Sequence, residues 1–273
     1  MTDARRSHMP RLDDRLPLGV AGLEVSPFCV GIVEDPATVA TAFVAGINFF
    51  FLTADLHWPL YEATRRGLAT LLERVPRERV VVAAASYVTQ PEFCSGPFRE
   101  VVDAVPGLGT LDLLVAGGAY GHELHARWPV YQRHRAERFL GAQAVGASFH
   151  DRRAALAAVN GGDLDCAFVR YNSGHPGAQR DIFPHLLPGR TTRLYGFTTT
   201  NPHDPGRAIP DDVWRPDITD HYRFALSRIG LDGLLCAPGK SWMVKALDEA
   251  LALGPLSLEE EEHMIALAAD DGD

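Results

Sequence analysis

Short apolar runs alternate with longer amphipathic stretches along the whole chain. The runs are SPFCVGIV from Ser26, GINFFFL from Gly46, RVVVAAA from Arg79, LDLLVA from Leu111, FLGAQAVGAS from Phe139, LDCAFVRY from Leu164, TRLYGFT from Thr192 and DGLLCAP from Asp232. Each is nearly continuous in apolar residues, the pattern of a strand covered on both faces, as in a parallel sheet. Between them lie ATVATAFVAG, LYEATRRGLATLLERV, PVYQRHRAERF, HDRRAALAAV, DHYRFALSRIG and SWMVKALDEALAL, whose apolar residues recur at helical spacing. The first opens on Asp35-Pro36 and stops at Gly46, with Pro just inside the start and Gly just past the end. Eight strands alternating with helices predict a closed (β/α)8 barrel. Ser257 with Glu260 three residues on forms a capping box and predicts a C-terminal helix over LSLEEEEHMIALA, followed by a frayed acidic tail.

The length of 273 residues suits one barrel, with residues 1–15 as a flexible N-terminus and 16–273 as the domain. The formal net charge of -9 argues against nucleic acid or an anionic membrane as partner and leaves a small molecule. The densest basic run, Arg133 to Arg138, reads as a solvated helix face. Cys29, Cys166 and Cys236 sit in apolar runs, Cys94 does not, and no pair has CxxC spacing. That pattern predicts a reducing compartment with neither disulfide nor zinc. No apolar signal region or run of about 18 apolar residues occurs, so the cytoplasm is expected. The sequence does not fix the oligomeric state.

Barrel enzymes carry their chemistry at the C-terminal strand ends. Here those positions hold Asp55, His57 and Trp58; Ser86 and Tyr87; Tyr120 and His122; His150; Arg170, Asn172 and His175; Phe197; and Lys240 with Ser241. His57 with Asp55 behind it is the leading acid/base pair, since a carboxylate can hold an imidazole and raise its pKa. The alternative is that Asp55 caps the next helix and His57 lines the rim. Arg170 is a fork for a substrate carboxylate or phosphate, or else a salt-bridge partner of Asp55. Tyr87 is an acid or anchor, or packs under a loop. Trp58, Ser86, Tyr120, His122, His150 and Asn172 are expected to line the substrate pocket. His122-Glu123-Leu124-His125 is one residue short of a HExxH zinc site, so no metal is expected. His203-Asp204, in a Pro-rich loop, reads as surface.

LPLGVAGLEVSPFCVGI, VAGINFFFLTAD, GASFHDR, FVRYN and GLLCAPGKSWMVKALDEALALGPLS together resemble the aldo-keto reductases over nearly the whole chain. The resemblance implies a TIM barrel with an N-terminal hairpin and a C-terminal helix. It implies NADPH-dependent carbonyl reduction by an Asp/Tyr/Lys/His tetrad. This chain departs from the tetrad throughout: Leu52 falls at the Asp, His57 at the Tyr, Ala85 or Ser86 at the Lys and Gly117 at the His. The cofactor pattern is half kept. Lys240, Ser241, Glu249, Phe197 and Ser148 match it, whereas Phe149, Phe168, Ala246 and Ala250 stand where Asn, Gln, Arg and Asn would be. Three readings follow. One is a repurposed, cofactor-independent acid/base enzyme of specialised metabolism, using His57, Asp55, Tyr87 and Arg170 for isomerisation, elimination or cyclisation. The second is an NADPH-dependent carbonyl or imine reductase with His57 as the acid. The third is a non-catalytic binding subunit.

Overall fold

The computed structural model describes residues 4–19, 22–200 and 213–269. The His203-Asp204 loop and the acidic tail lie outside them. A hairpin of β1 (Leu16–Leu18) and β2 (Leu23–Val25) precedes the barrel strands β3 (Phe28–Val30), β4 (Phe49–Thr53), β5 (Val81–Ser86), β6 (Leu113–Ala119), β7 (Ala144–Phe149), β8 (Cys166–Arg170), β9 (Arg193–Phe197) and β10 (Gly233–Cys236). The eight are parallel and close in sequence order, with β10 pairing β3. The helices are α1 (Ala37–Val44), α2 (Glu62–Leu72), α3 (Gly96–Ala104), α4 (Gly121–Ala136), α5 (Arg152–Gly161), α6 (Ala178–Asp181), α7 (Ile218–Leu226), α8 (Ser241–Ala252) and α9 (Leu258–Ala269). The expected barrel, hairpin and terminal helix are all present.

Helices α3 and α4 differ from the sequence reading, and the short α6 was not expected. The apolar pattern placed the fourth helix from Pro129, but α4 begins at Gly121 and carries Pro129 inside it. An interior proline costs roughly 3 kcal/mol, and here Arg127 and Tyr131 beside it are completely buried, so packing carries the helix through. Helix α3 was not expected because it starts with Gly96-Pro97, a turn signal; Phe98 and Val101 bury its inner face. At α1, Asp35 Oδ1 accepts from the Ala37 amide, and Gly46 at φ 111 ends the helix against Asp13. The Ser257–Glu260 box is formed in both directions.

Strand alternation sorts the side chains. Phe49 meets Tyr195 edge-on at 5.6 Å, and Phe51 meets Phe168 at 5.3 Å. These pairs join strands that are not neighbours, so Phe49, Phe51, Phe168 and Tyr195 point into the barrel. By register Thr53, Ala85, Val115, Ser148, Arg170 and Phe197 share that inner side, while Leu52 faces the helices. The buried Tyr195 hydroxyl is satisfied by the Ser26 carbonyl at 2.7 Å.

The N-terminal end of the barrel is closed by charge. A Leu-Asp dipeptide recurs at Leu111-Asp112, Leu164-Asp165 and Leu231-Asp232. Each Asp accepts the amide of the strand before it: Asp112 from Val82, Asp165 from Val145, Asp232 from Leu194. Each also holds an arginine: Arg77 at 2.7 Å, Arg135 at 3.0 Å and Arg190 at 2.7 Å. The basic run 133–138 is therefore only partly a solvated face, because Arg135 is paired and His134 is buried. The N-terminus, expected to be flexible over residues 1–15, is held over residues 4–15. Met9 and Leu12 are buried, and Arg5 at 2.6 Å and Arg228 at 2.8 Å clamp the fully buried Glu261.

Candidate active site

The mouth is built from two groups of strand ends. On the first, the chain leaves β4 through Asp55 and enters a short turn at Trp58. Asp55 was expected to orient His57. Instead its carboxylate accepts from the Ser86 hydroxyl at 2.7 Å and the Tyr87 amide at 3.0 Å. His57 has φ 66, a left-handed conformation that turns its ring off the strand direction and out to solvent. The two residues therefore do not act as a hydrogen-bonded pair. Ser86 is completely buried and serves Asp55 and the Val88 amide, not the pocket surface. Trp58 has its ring covered by Arg65, 3.7 Å from the centroid.

Tyr87 is the centre of this half. Its ring lies flat over Gly117, where a Cβ would come within 2.9 Å of it, and meets the His57 ring edge-on at 5.9 Å. Only a glycine leaves room for the phenol at that point. Burial, and then Asp55, push its pKa above the ordinary tyrosine value. Arg127, fully buried on α4, donates to the Val88 carbonyl at 3.1 Å and the Gly117 carbonyl at 2.8 Å. It thus ties together the two chain segments that sandwich Tyr87. Sequence reasoning missed Arg127; a lone arginine between the apolar Leu124, Trp128 and Tyr131 was the available signal.

The second group comprises β7, β8 and β9. Arg170 ends β8 pointing inward, and no carboxylate pairs with it among the described residues; its Nε is buried without a partner. The expected alternative, an ion pair with Asp55, does not form. Its Nη1 lies 3.4 Å from His175 Nε2. Asn172 is buried, and its amide donates to the Thr198 carbonyl at 2.7 Å, leaving its oxygen to face His175 Nδ1 at 3.3 Å. That chain puts the proton on Nδ1 and leaves Nε2 to accept from Arg170. Asn172 thus orients His175 and does not itself line the pocket. Thr198, whose carbonyl anchors the chain, has φ 56, a strained value for a β-branched residue. His150 sits edge-on to Phe197 at 5.5 Å. Burial and the Arg170 charge lower the pKa of both His150 and His175, with Arg152 adding to the effect at His175. Tyr120 is exposed at the head of α4, and the side chain of His122 lies outside the described set.

The residues matched to the cofactor pattern are scattered in their commitments. Lys240 is exposed at the head of α8. Ser241 accepts from Thr41 at 3.0 Å, and Glu249 pairs with Lys245 at 3.4 Å. Ser148 accepts the Gly118 amide at 2.9 Å. Phe149 and Phe168, which the resemblance matched to an Asn and a Gln, are buried apolar side chains. Among the described residues no cluster of His, Cys, Asp or Glu is arranged to hold a metal, and the four cysteines are buried and free. No helix among them is long and apolar enough to cross a membrane. Beside His150 a groove of about 780 Å³ opens between α5 and α6, lined by Asp151, Arg152, Arg153, Arg180, Asp181 and His185.

No family model matches the sequence, and no curated protein sequence matches it. Solved structures do. An aldo-keto reductase from Bacillus halodurans, in its holo form, superposes with a TM-score of 0.70 at 14% identity, over 95% of this chain and 96% of its own. An aldo-keto reductase from Bombyx mori in complex with NADP gives 0.68 at 15% identity, over 93% and 92%. The chain therefore has the aldo-keto reductase fold: the (β/α)8 barrel with its N-terminal hairpin.

Proposed function

We propose that the chain is a divergent aldo-keto reductase superfamily member that performs acid/base chemistry on a small anionic molecule without a nicotinamide cofactor. Isomerisation, elimination or cyclisation in cytoplasmic specialised metabolism are the fitting reaction types. The observation that carries the reading is Tyr87. Its ring stands over Gly117, its backbone amide donates to Asp55, and Arg127 ties the flanking Val88 and Gly117 carbonyls. Its phenol stays protonated at neutral pH and makes no hydrogen bond to any described residue. It is a proton donor waiting for an acceptor. Arg170 supplies the fork for a substrate carboxylate, and a charge-assisted bidentate contact there also stabilises negative charge developing on the adjacent carbon. The exposed His57 imidazole, edge-on to Tyr87, is the group to take a proton from that carbon while Tyr87 delivers one to the leaving atom.

NADPH does not fit this mouth in the family manner. The nicotinamide's amide partners are replaced by the buried Phe149 and Phe168, and Ser148 already accepts a backbone amide. Loss of an arginine at Ala246 removes a bidentate phosphate clamp that Lys240 does not replace. A reductase remains the second reading, favoured by the exposed Lys240 and the inward Phe197. Titration with NADPH by fluorescence quenching, with NADH as control, separates the two. No binding at millimolar cofactor is expected. Micromolar NADPH binding that disappears in Lys240→Ala would overturn the proposal in favour of the reductase.

A further inference from the structure

The groove beside Arg170 has a charge opposite to that of the molecule. Arg152, Arg153 and Arg180 set three guanidinium groups against two carboxylates, Asp151 and Asp181, in a chain of formal net charge -9, and Arg170 acts on the groove's edge through His150. Both carboxylates are already spent. Asp151 caps α5, accepting from the Arg153 and Ala154 amides, and Asp181 is gripped by Arg152 at 2.6 Å and Arg180 at 2.7 Å. Arg153 and Arg170 have no carboxylate among the described residues. The Arg152 guanidinium lies over Gly177, where a Cβ would sit 2.7 Å from its Cζ, so the wall is shaped by the absence of a side chain there. Its two terminal nitrogens make no hydrogen bond to any described residue, its Nε bonding Asp181. His150 lines the groove and feels the Arg170 charge, and His175 feels both Arg170 and Arg152. His150, which lines the groove and packs edge-on against the inward Phe197, thus stands between the groove and the mouth.

We propose that this groove binds a phosphate monoester on the substrate, with the reacting part of the molecule reaching past His150 into the mouth. The assignment rests on the acid/base reading above and names its substrate class. The positive excess favours an anion, and planar guanidinium forks suit the oxygens of a phosphate dianion. The volume of about 780 Å³ exceeds what a lone carboxylate occupies and leaves room for the attached carbon skeleton. The site lies after β7 and β8, away from Lys240 and Ser241, which the family resemblance ties to the cofactor.

The test is calorimetric titration at pH 8, where a phosphate monoester is doubly charged, its second pKa being about 6. The probes are phenyl phosphate, inorganic phosphate and benzoate. Phenyl phosphate is expected to bind at least tenfold tighter than benzoate and tighter than inorganic phosphate. Arg153→Ala, an exposed position that leaves the fold intact, should weaken it about tenfold, as should Arg170→Ala, while Lys240→Ala changes nothing. Equal affinity for inorganic phosphate would remove the ester. Loss of binding in Lys240→Ala but not Arg153→Ala would move the phosphate to the cofactor region and overturn the site. If benzoate binds through Arg170 and phenyl phosphate gains nothing, the groove assignment falls while the acid/base reading on a carboxylate stands. If no probe binds, both fall.

Discussion

The two ends of the barrel use the same residue types under different rules. At the N-terminal end Arg5 and Arg228 close on Glu261, and Arg77, Arg135 and Arg190 close on the three Leu-Asp aspartates. At the C-terminal end Arg170 has an imidazole beside it and no carboxylate among the described residues, and Arg127 spends its charge on two backbone carbonyls. A buried charge is tolerated only when it is paired or hydrogen-bonded. The closed end meets that condition within the chain. The open end leaves it partly unmet, and an unmet charge at a barrel mouth is a place for a ligand to complete.

Breaking the closed end should have the largest effect. Glu261→Ala leaves Arg5 and Arg228 facing each other in a buried site, and removing one member of a buried ion pair costs about 3–5 kcal/mol. Chemical denaturation should show a loss of that order; a loss below about 1 kcal/mol would mean the clamp is not a structural element. At the open end the same kind of truncation should do the opposite. Arg170→Met removes a charge that has no carboxylate partner among the described residues and only a long contact to His175, so stability should change by no more than about 0.5 kcal/mol, or rise. A marked destabilisation would show that Arg170 is structural and would erase the contrast. The smallest effect is in protonation. Tyr87 is raised above the ordinary value near 10 by burial and then Asp55, so the folded state favours the neutral phenol. Its contribution to stability is complete below the unfolded pKa and is lost as pH rises through the folded one. Carbon-13 NMR of the Tyr87 ring should show a midpoint above pH 10 that falls in Asp55→Asn; a midpoint at or below 10 would remove the burial argument.

The barrel was legible because its strands are buried on both faces, which leaves unbroken apolar runs such as RVVVAAA and LDLLVA. Helix starts were less so: Pro129 and Gly96-Pro97 are local stop signals that tertiary packing overrode. At the mouth, the positions after each strand were readable, but their partners were not. Asp55 and His57 stand two residues apart, which on a strand would put them on one side. The positive φ at His57 ends the strand geometry first and sends Asp55 to β5. Arg127 acts on residues 39 and 10 positions away, across a helix–strand contact with no local pattern. Leu52, which the family resemblance matched to an Asp, faces the helices, and the inward residues at that level are Phe51 and Thr53.

The Leu-Asp staples also bear on how the chain reaches this fold. Each joins the starts of two strands adjacent in sequence, with separations of 30, 20 and 38 residues. Three βαβ units, β5–β6, β7–β8 and β9–β10, can therefore lock their own register before the ring exists, at the modest loop-closure entropy of short segments. The seam between β10 and β3 spans nearly the whole chain, and the contact of Arg5 and Arg228 with Glu261 brings the two chain ends together behind it. In kinetic terms the staples belong to early, local steps, and the N-terminal clamp is the latch that slows reopening.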